Sequence, residues 1–232
     1  MDIDLEGIVA IVGNYGSGKT EVAINLAADR KAAGVGVRIA DLDLVNPYFR
    51  TREARRQLAE LGVEVVLPDA KYLQADLPIV SRSIRGLLGQ PAPLTLLDAG
   101  GDDVGATVLA SLGDALSDRS VQMFQVINPF RPFTDTLAGC EKIRLEIEAA
   151  SRLAVTGFIG NANLIEDTTL EDIYQGHDFV QALSHEAGLP LIFVTVAADL
   201  MPAIDAARLT CPVLGLHRQL VPPWKRAAAL RR

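Results

Sequence analysis

The sequence predicts an α/β protein in which a mostly parallel sheet carries helices on both faces. Three observations carry that prediction. Short apolar runs rich in β-branched residues alternate along the chain with longer stretches of helical spacing, the signature of strands joined by helical crossovers. The runs are continuously apolar rather than alternating, as expected of strands buried on both faces. The composition, 49% hydrophobic and 22% charged over 232 residues, is that of one globular unit. We assign residues 1–216 to that unit and 217–232 to a C-terminal tail.

Taken in order, Gly7–Gly13 (GIVAIVG) is the first strand. Lys19–Ala33 follows as a helix, with Val22, Ala23, Leu26 and Ala27 at helical spacing and Gly34 as its stop. Val37–Leu44 is a strand, Thr51–Leu61 a polar, Arg-rich helix ended by Gly62, and Val63–Leu67 a strand closed by Pro68. Leu77–Leu88 reads as a helix that tolerates Pro78 in its first turn. Then come strand Leu94–Asp98, helix Asp103–Leu116, strand Val121–Asn128, helix Thr134–Ser151 and strand Ala154–Asn161. Helix Asp178–Ala187, strand Leu191–Val196 and an edge strand at Cys211–Leu216 complete the set.

Charge and composition exclude several classes. There are 22 basic and 29 acidic residues, a net charge of −7, which argues against nucleic-acid binding through clustered Lys and Arg. The longest apolar runs, such as Pro190–Ala198, fall short of the ~18–20 residues of a membrane span. The opening Met-Asp-Ile-Asp-Leu-Glu is acidic where a secretory signal is basic, so a cytoplasmic protein is expected. Cys140 and Cys211 lie far apart, and His177, His185 and His217 lack ligand spacing. That argues against structural zinc, an iron–sulfur site and a disulfide framework.

The segment Gly13-Asn14-Tyr15-Gly16-Ser17-Gly18-Lys19-Thr20 matches G-x-x-x-x-G-K-[ST] and lies between the first strand and the first helix. Its glycines let backbone N–H groups turn inward onto phosphate oxygens, and the helix N-terminus adds partial positive charge. Lys19 would reach the outer phosphates, and the Thr20 hydroxyl would ligate Mg²⁺. A dinucleotide site with Asp41 as its ribose acid is disfavoured, because the glycine order is wrong.

Such a loop needs a carboxylate from a neighbouring strand. Asp98 ends the run Leu94–Leu97, and Asp98-Ala99-Gly100-Gly101 forms D-x-x-G, whose Gly101 N–H can report the γ-phosphate. Asp41 and Asp43 alternate onto one side at the end of the second strand, where ligands bind in such sheets. One of the pair would support the metal shell, Asp41 in our assignment, and Asp43 would orient the attacking water. Asp102 and Asp103 either contribute or cap the next helix.

Taken together, the loop, Asp41-x-Asp43 with Asn46, and the D-x-x-G at Asp98 resemble the MinD/ParA/CobQ–CobB group of P-loop ATPases, of the SIMIBI class. Gly157–Asn163 (GFIGNAN) resembles that group's late strand, which ends in a base-contacting Asn. The resemblance covers about residues 5–216 and implies a P-loop NTPase sheet of about seven or eight strands. It also implies ATP binding and slow hydrolysis switched by nucleotide-dependent homodimerisation, Asp43 as water-positioning residue and Asp98 on the metal. The group's second loop lysine, donated across the dimer, is replaced here by Asn14 or Tyr15, and no cysteine stands at the dimer face.

No N-K-x-D occurs in the chain. Asn161 or Asn163 can both donate and accept, which suits adenine. The expected ligands are therefore ATP or ADP with Mg²⁺. Two other functions stay open on the same scaffold: a small-molecule phosphotransferase or ATP-dependent ligase, and a non-catalytic nucleotide-binding module. The protein partner is not named by the sequence. Asn128–Asp135 (NPFRPFTD) is ambiguous, since Arg131 suits a phosphate, a partner, a substrate or a plain structural loop. Asn46–Arg52 suits either a switch or a docking surface. Arg50, Arg52, Arg55 and Arg56 read as a solvated helix face, and the basic tail around Trp224 has too little apolar area for firm membrane contact.

Overall fold

The run GIVAIV has no polar side chain, and from Ile8 to Val12 it is buried on both faces. In the computed structural model, which describes residues 2–43, 51–67, 82–100, 103–116, 119–221, 227, 229 and 230, this run is strand β1 (Gly7–Val12). There follow α1 (Lys19–Ala32), β2 (Val37–Asp41), α2 (Arg55–Glu60), β3 (Glu64–Val66), α3 (Arg82–Gly89), β4 (Leu94–Asp98), α4 (Asp103–Ser111) and α5 (Gly113–Leu116). The second half contains β5 (Val121–Ile127), α6 (Leu137–Ser151), β6 (Gly157–Gly160), α7 (Leu170–Ala187), β7 (Leu191–Ala197) and β8 (Val213–Leu216). Eight strands form one sheet in the order β3-β2-β4-β1-β5-β6-β7-β8, and every pairing is parallel. The expected parallel α/β architecture is the one observed.

Alternation along β1 divides the core. Val9 and Ile11 pack with Val22 and Leu26 of α1 on one face, while Ile8, Ala10 and Val12 pack with Leu87, Leu109 and Phe158 on the other. Each of these Val, Ile, Leu and Phe side chains contributes ~1.5–3 kcal/mol by burial. The chain leaves β1 for β2, then returns to place β4 and later β5 on either side of it. That is a topological switch point, where parallel sheets open a crevice beyond their C-terminal ends. Register aligns the crevice: Asp98 pairs with Ile11 of β1 and with Asp41 of β2.

Several boundaries differ from expectation. Helix α7 starts at Leu170 rather than Asp178, behind a capping box in which Thr169 and Asp172 bond reciprocally. Gly176 argues against a helix on propensity, yet a Cβ there would meet Ala162 Cβ at 2.1 Å; it is the residue that lets α7 lie against the chain leaving β6. The single helix expected over Asp103–Leu116 is two, α4 and α5. Thr51–Ala54 is a 3-10 turn preceding α2. Thr136 caps α6 by accepting from Gly139 N, so that helix starts three residues later than expected. His217–Leu220, assigned to the tail, are held on α1: the Glu21 carboxylate accepts from the Gln219 and Leu220 N–H groups at 2.6 and 3.0 Å, and Asn25 Oδ1 accepts from His217 N at 2.8 Å. The end of the strand at Leu44, the start of the helix at Leu77 and the tail around Trp224 lie outside the described residues. No helix among the described residues is long and apolar enough to cross a membrane. Cys140 and Cys211 are free and buried, and burial pushes their thiols up to about 12 and about 11, which makes both unreactive near neutrality.

Candidate functional site

Beyond β1 the chain curls through Gly13–Gly18 before α1 begins at Lys19. Gly18 caps α1 in the left-handed region, with φ 91°, and a Cβ there would stand 2.2 Å from Asn161 Nδ2. Only glycine meets both demands. Ser17 is fully buried beneath the curl, and Ser17 N donates to Asn14 O at 3.2 Å. Lys19, 7% exposed, donates from Nζ to the Asn14 carbonyl at 2.9 Å, so the ammonium bridges the two limbs of the loop. Asn14 accepts from Tyr15 N and donates to Pro132 O at 2.9 Å; Tyr15 itself projects into solvent, 71% exposed.

The two asparagines expected at a base differ. Asn161 follows β6 and is buried: its Nδ2 donates to Ser17 O at 2.6 Å, and its Oδ1 accepts from Thr195 Oγ1 at 2.5 Å. The side chain thus ties the loop to β6 and β7, with one bond from each end of its amide. Asn163 is half-buried; its Oδ1 accepts from Ile165 N at 2.7 Å and its carbonyl accepts from Asn128 Nδ2 at 2.9 Å.

Under the start of α1 lies the acidic floor. Thr20 Oγ1 donates to Asp98 Oδ1 at 3.2 Å, and Thr51 Oγ1 donates to Asp98 Oδ2 at 2.7 Å. Burial, and the charge of Asp41 alongside, push the Asp98 carboxyl up to about 7, against the pull of the two hydroxyls and Lys19. Asp41, on the neighbouring strand, is fully buried and also raised by burial, with Arg52 opposing. Its Oδ2 accepts from Arg52 Nε at 2.9 Å and its Oδ1 from Asp43 N at 3.1 Å. Both carboxylate oxygens of Asp41 are thus engaged by protein donors, and its charge bears on Asp98. Asp43 lies one step further out, half-buried, with its carbonyl accepting from Arg52 Nη2 at 3.1 Å.

Thr51 and Arg52 of this floor lie at the end of the segment from Asn46 that suits either a switch or a docking surface, Arg52 within it and Thr51 beside it. The reading of the arginines as a solvated helix face describes Arg56, paired in the open with Glu60, but not Arg52, whose partner is the buried Asp41. The expected contributions of Asn46, Gly101 and Asp102 lie outside the described residues. Among the described residues no three His, Cys, Asp or Glu side chains cluster as a metal site. The Thr20 hydroxyl beside the Asp98 carboxylate is nonetheless a hard oxygen pair suited to Mg²⁺, which takes few protein ligands and completes its shell with water and phosphate.

No family model matches the chain, and no curated protein matches it in sequence. Solved structures do. The chain is similar to the cell division protein FtsY from Thermotoga maritima, at 20% identity and a TM-score of 0.60 over 85% of this chain and 66% of that one. It is also similar to the signal recognition particle 54 kDa protein from Aeropyrum pernix K1 in complex with GDP, at 18% identity and a TM-score of 0.55 over 83% and 42%. A third likeness is to the septum site-determining protein MinD from Pyrococcus horikoshii OT3 complexed with Mg-ADP, at 20% identity and a TM-score of 0.51 over 82% and 81%. The fold is thus the P-loop NTPase α/β fold. Because the likeness takes in FtsY and the 54 kDa protein as well as MinD, it does not single out the MinD/ParA group. The chain spans less than two thirds of the length of the first two structures.

Proposed function

We propose that the chain is a Mg²⁺-dependent ATP-binding protein that hydrolyses ATP slowly and works as a nucleotide-dependent switch. The observation that supports this best is the Thr20–Asp98 hydrogen bond directly below the Gly13–Thr20 curl, since a P-loop threonine joined to a strand-end aspartate is what a phosphate-bound Mg²⁺ requires. In this reading the N–H groups of Gly16, Ser17, Gly18, Lys19 and Thr20 cradle the phosphates, with α1's N-terminus adding positive potential. The Lys19 ammonium moves from the Asn14 carbonyl to the outer phosphates. Thr20 and Asp98 would hold Mg²⁺, with Asp41 supporting its shell, and the ion would supply charge neutralisation to the phosphates. Asp43 orients a water whose oxygen bonds to the terminal phosphorus as the bond to the bridging oxygen breaks, leaving ADP and phosphate.

ATP over GTP rests on the missing N-K-x-D and on the Asn163 amide; the similar structures hold GDP in one case and Mg-ADP in another, so the fold favours neither base. A homodimer facing across the loop, and a further protein partner, are inferred from the motif resemblance. Calorimetry tests the core of the proposal: wild type binds ATP with Mg²⁺ and Lys19→Ala does not. Equal binding by the variant overturns it. Asp43→Ala keeps ATP affinity and loses phosphate release; undiminished turnover removes Asp43 from its role.

A further inference from the structure

The loop between β5 and α6 is built to hold one cation against the phosphate cradle. Asn128 Oδ1 accepts from Phe130 N at 3.1 Å, and Asn128 O accepts from Arg131 N at 3.1 Å and from Thr134 Oγ1 at 2.7 Å. Thr134 N in turn donates to Arg131 O at 3.2 Å. Pro129 and Pro132 restrict φ on either side of Phe130 and Arg131. The loop is moored at two outside points: Asn14 Nδ2 donates to Pro132 O, and Asn128 Nδ2 donates to Asn163 O. Arg131 is thereby laid over the crest of the glycine-rich curl, so that a Cβ on Gly16 would come within 3.9 Å of Arg131 Nε.

That Nε is buried and has no hydrogen-bond partner among the described residues. A buried guanidinium N–H without an acceptor is costly, and no carboxylate pairs with Arg131 there. An acceptor that arrives at the crest would satisfy it, and an anion would also meet the charge. The N-terminus of α1 serves the inner phosphates. The crest at Asn14–Gly16, where Lys19 Nζ already rests on Asn14 O, borders the outer one.

We propose that Arg131 is a phosphate-contacting residue, supplied by the same chain, that donates from its guanidinium to the outermost phosphate of a nucleoside triphosphate bound at Gly13–Thr20. The proposal rests on the nucleotide-binding reading above. Arg131 then distinguishes triphosphate from diphosphate.

The test is calorimetry of the full chain with Mg²⁺, using a non-hydrolysable ATP analogue and ADP, for wild type, Arg131→Ala and Arg131→Lys, with circular dichroism as the folding check. A charge-assisted hydrogen bond lost in Arg131→Ala should weaken analogue binding roughly 10- to 100-fold and leave ADP within about threefold. Arg131→Lys keeps the charge but not the fork and should fall between. Equal weakening of both nucleotides, or unchanged affinity for the analogue, overturns the proposal in favour of a loop-shaping role. Should Arg131→Ala not fold, Arg131→Lys decides: analogue affinity indistinguishable from wild type, relative to ADP, overturns it. If wild type binds neither nucleotide, the nucleotide reading fails as well, which separates the two failures.

Discussion

Replacing Asn161 by alanine separates a residue that supports the loop from one that reads a base. The side chain bridges Ser17 O and Thr195 Oγ1, both in buried residues. Truncation orphans a carbonyl under the loop and a hydroxyl in β7, and each unsatisfied buried group costs ~1–3 kcal/mol. The expected loss is ~2–6 kcal/mol of folding stability, read as a lower urea midpoint with unchanged slope. Because this strut ties the loop to β6 and β7, ATP and GTP affinities should fall by the same factor in Asn161→Ala. Asn161→Asp should do no better, since it sets a carboxylate oxygen against the Ser17 carbonyl while keeping the acceptor for Thr195. Undiminished stability together with an altered ATP-to-GTP ratio would refute the reasoning and return Asn161 to the base.

Other tests address the floor of the site. Asp98 has its folded-state value raised from 3.8 to about 7, so its protonation favours the folded state; the contribution is complete below about pH 4 and is lost as pH rises through about 7. Glu21 and Asp41 are raised by burial in the same direction. Nucleotide-free protein should therefore unfold at lower urea at pH 8 than at pH 5, by up to a few kcal/mol, and Asp98→Asn should flatten most of that difference; an unchanged slope would show the carboxylate is not the source. Arg52→Ala removes the partner of the fully buried Asp41, which should cost ~3–5 kcal/mol, and Asp41→Asn in the same chain should restore part of it; simple additivity of the two in unfolding experiments would deny the pairing. Gly18→Ala forces a left-handed alanine, ~1–2 kcal/mol, and drives Asn161 off Ser17; loss of nucleotide binding should exceed loss of stability, and wild-type affinity would count against the strut.

Much of this protein is written locally. The run GIVAIV, the glycines, Lys19 and Thr20 form strand, curl and helix from neighbours in sequence, and an apolar run ending in Asp98 puts a carboxylate at a strand end wherever the strand lies. The parallel α/β class follows from the same local patterns. Other features were not legible, because they depend on which strand ends become neighbours. The order β3-β2-β4-β1-β5-β6-β7-β8 sets Asp41 beside Asp98, brings Thr51 to Asp98 across 47 positions and joins Asn161 to Ser17 across 144. No periodicity encodes such pairs. The same holds for Arg52, whose surroundings in sequence are those of a solvated helix, and for Gly176, which breaks the helical pattern yet is required where α7 meets Ala162. Local propensity determined the elements and the phosphate-binding curl; the pairing of strands, driven by burial on both faces of the sheet, decided what stands beneath that curl and which arginine lies over it.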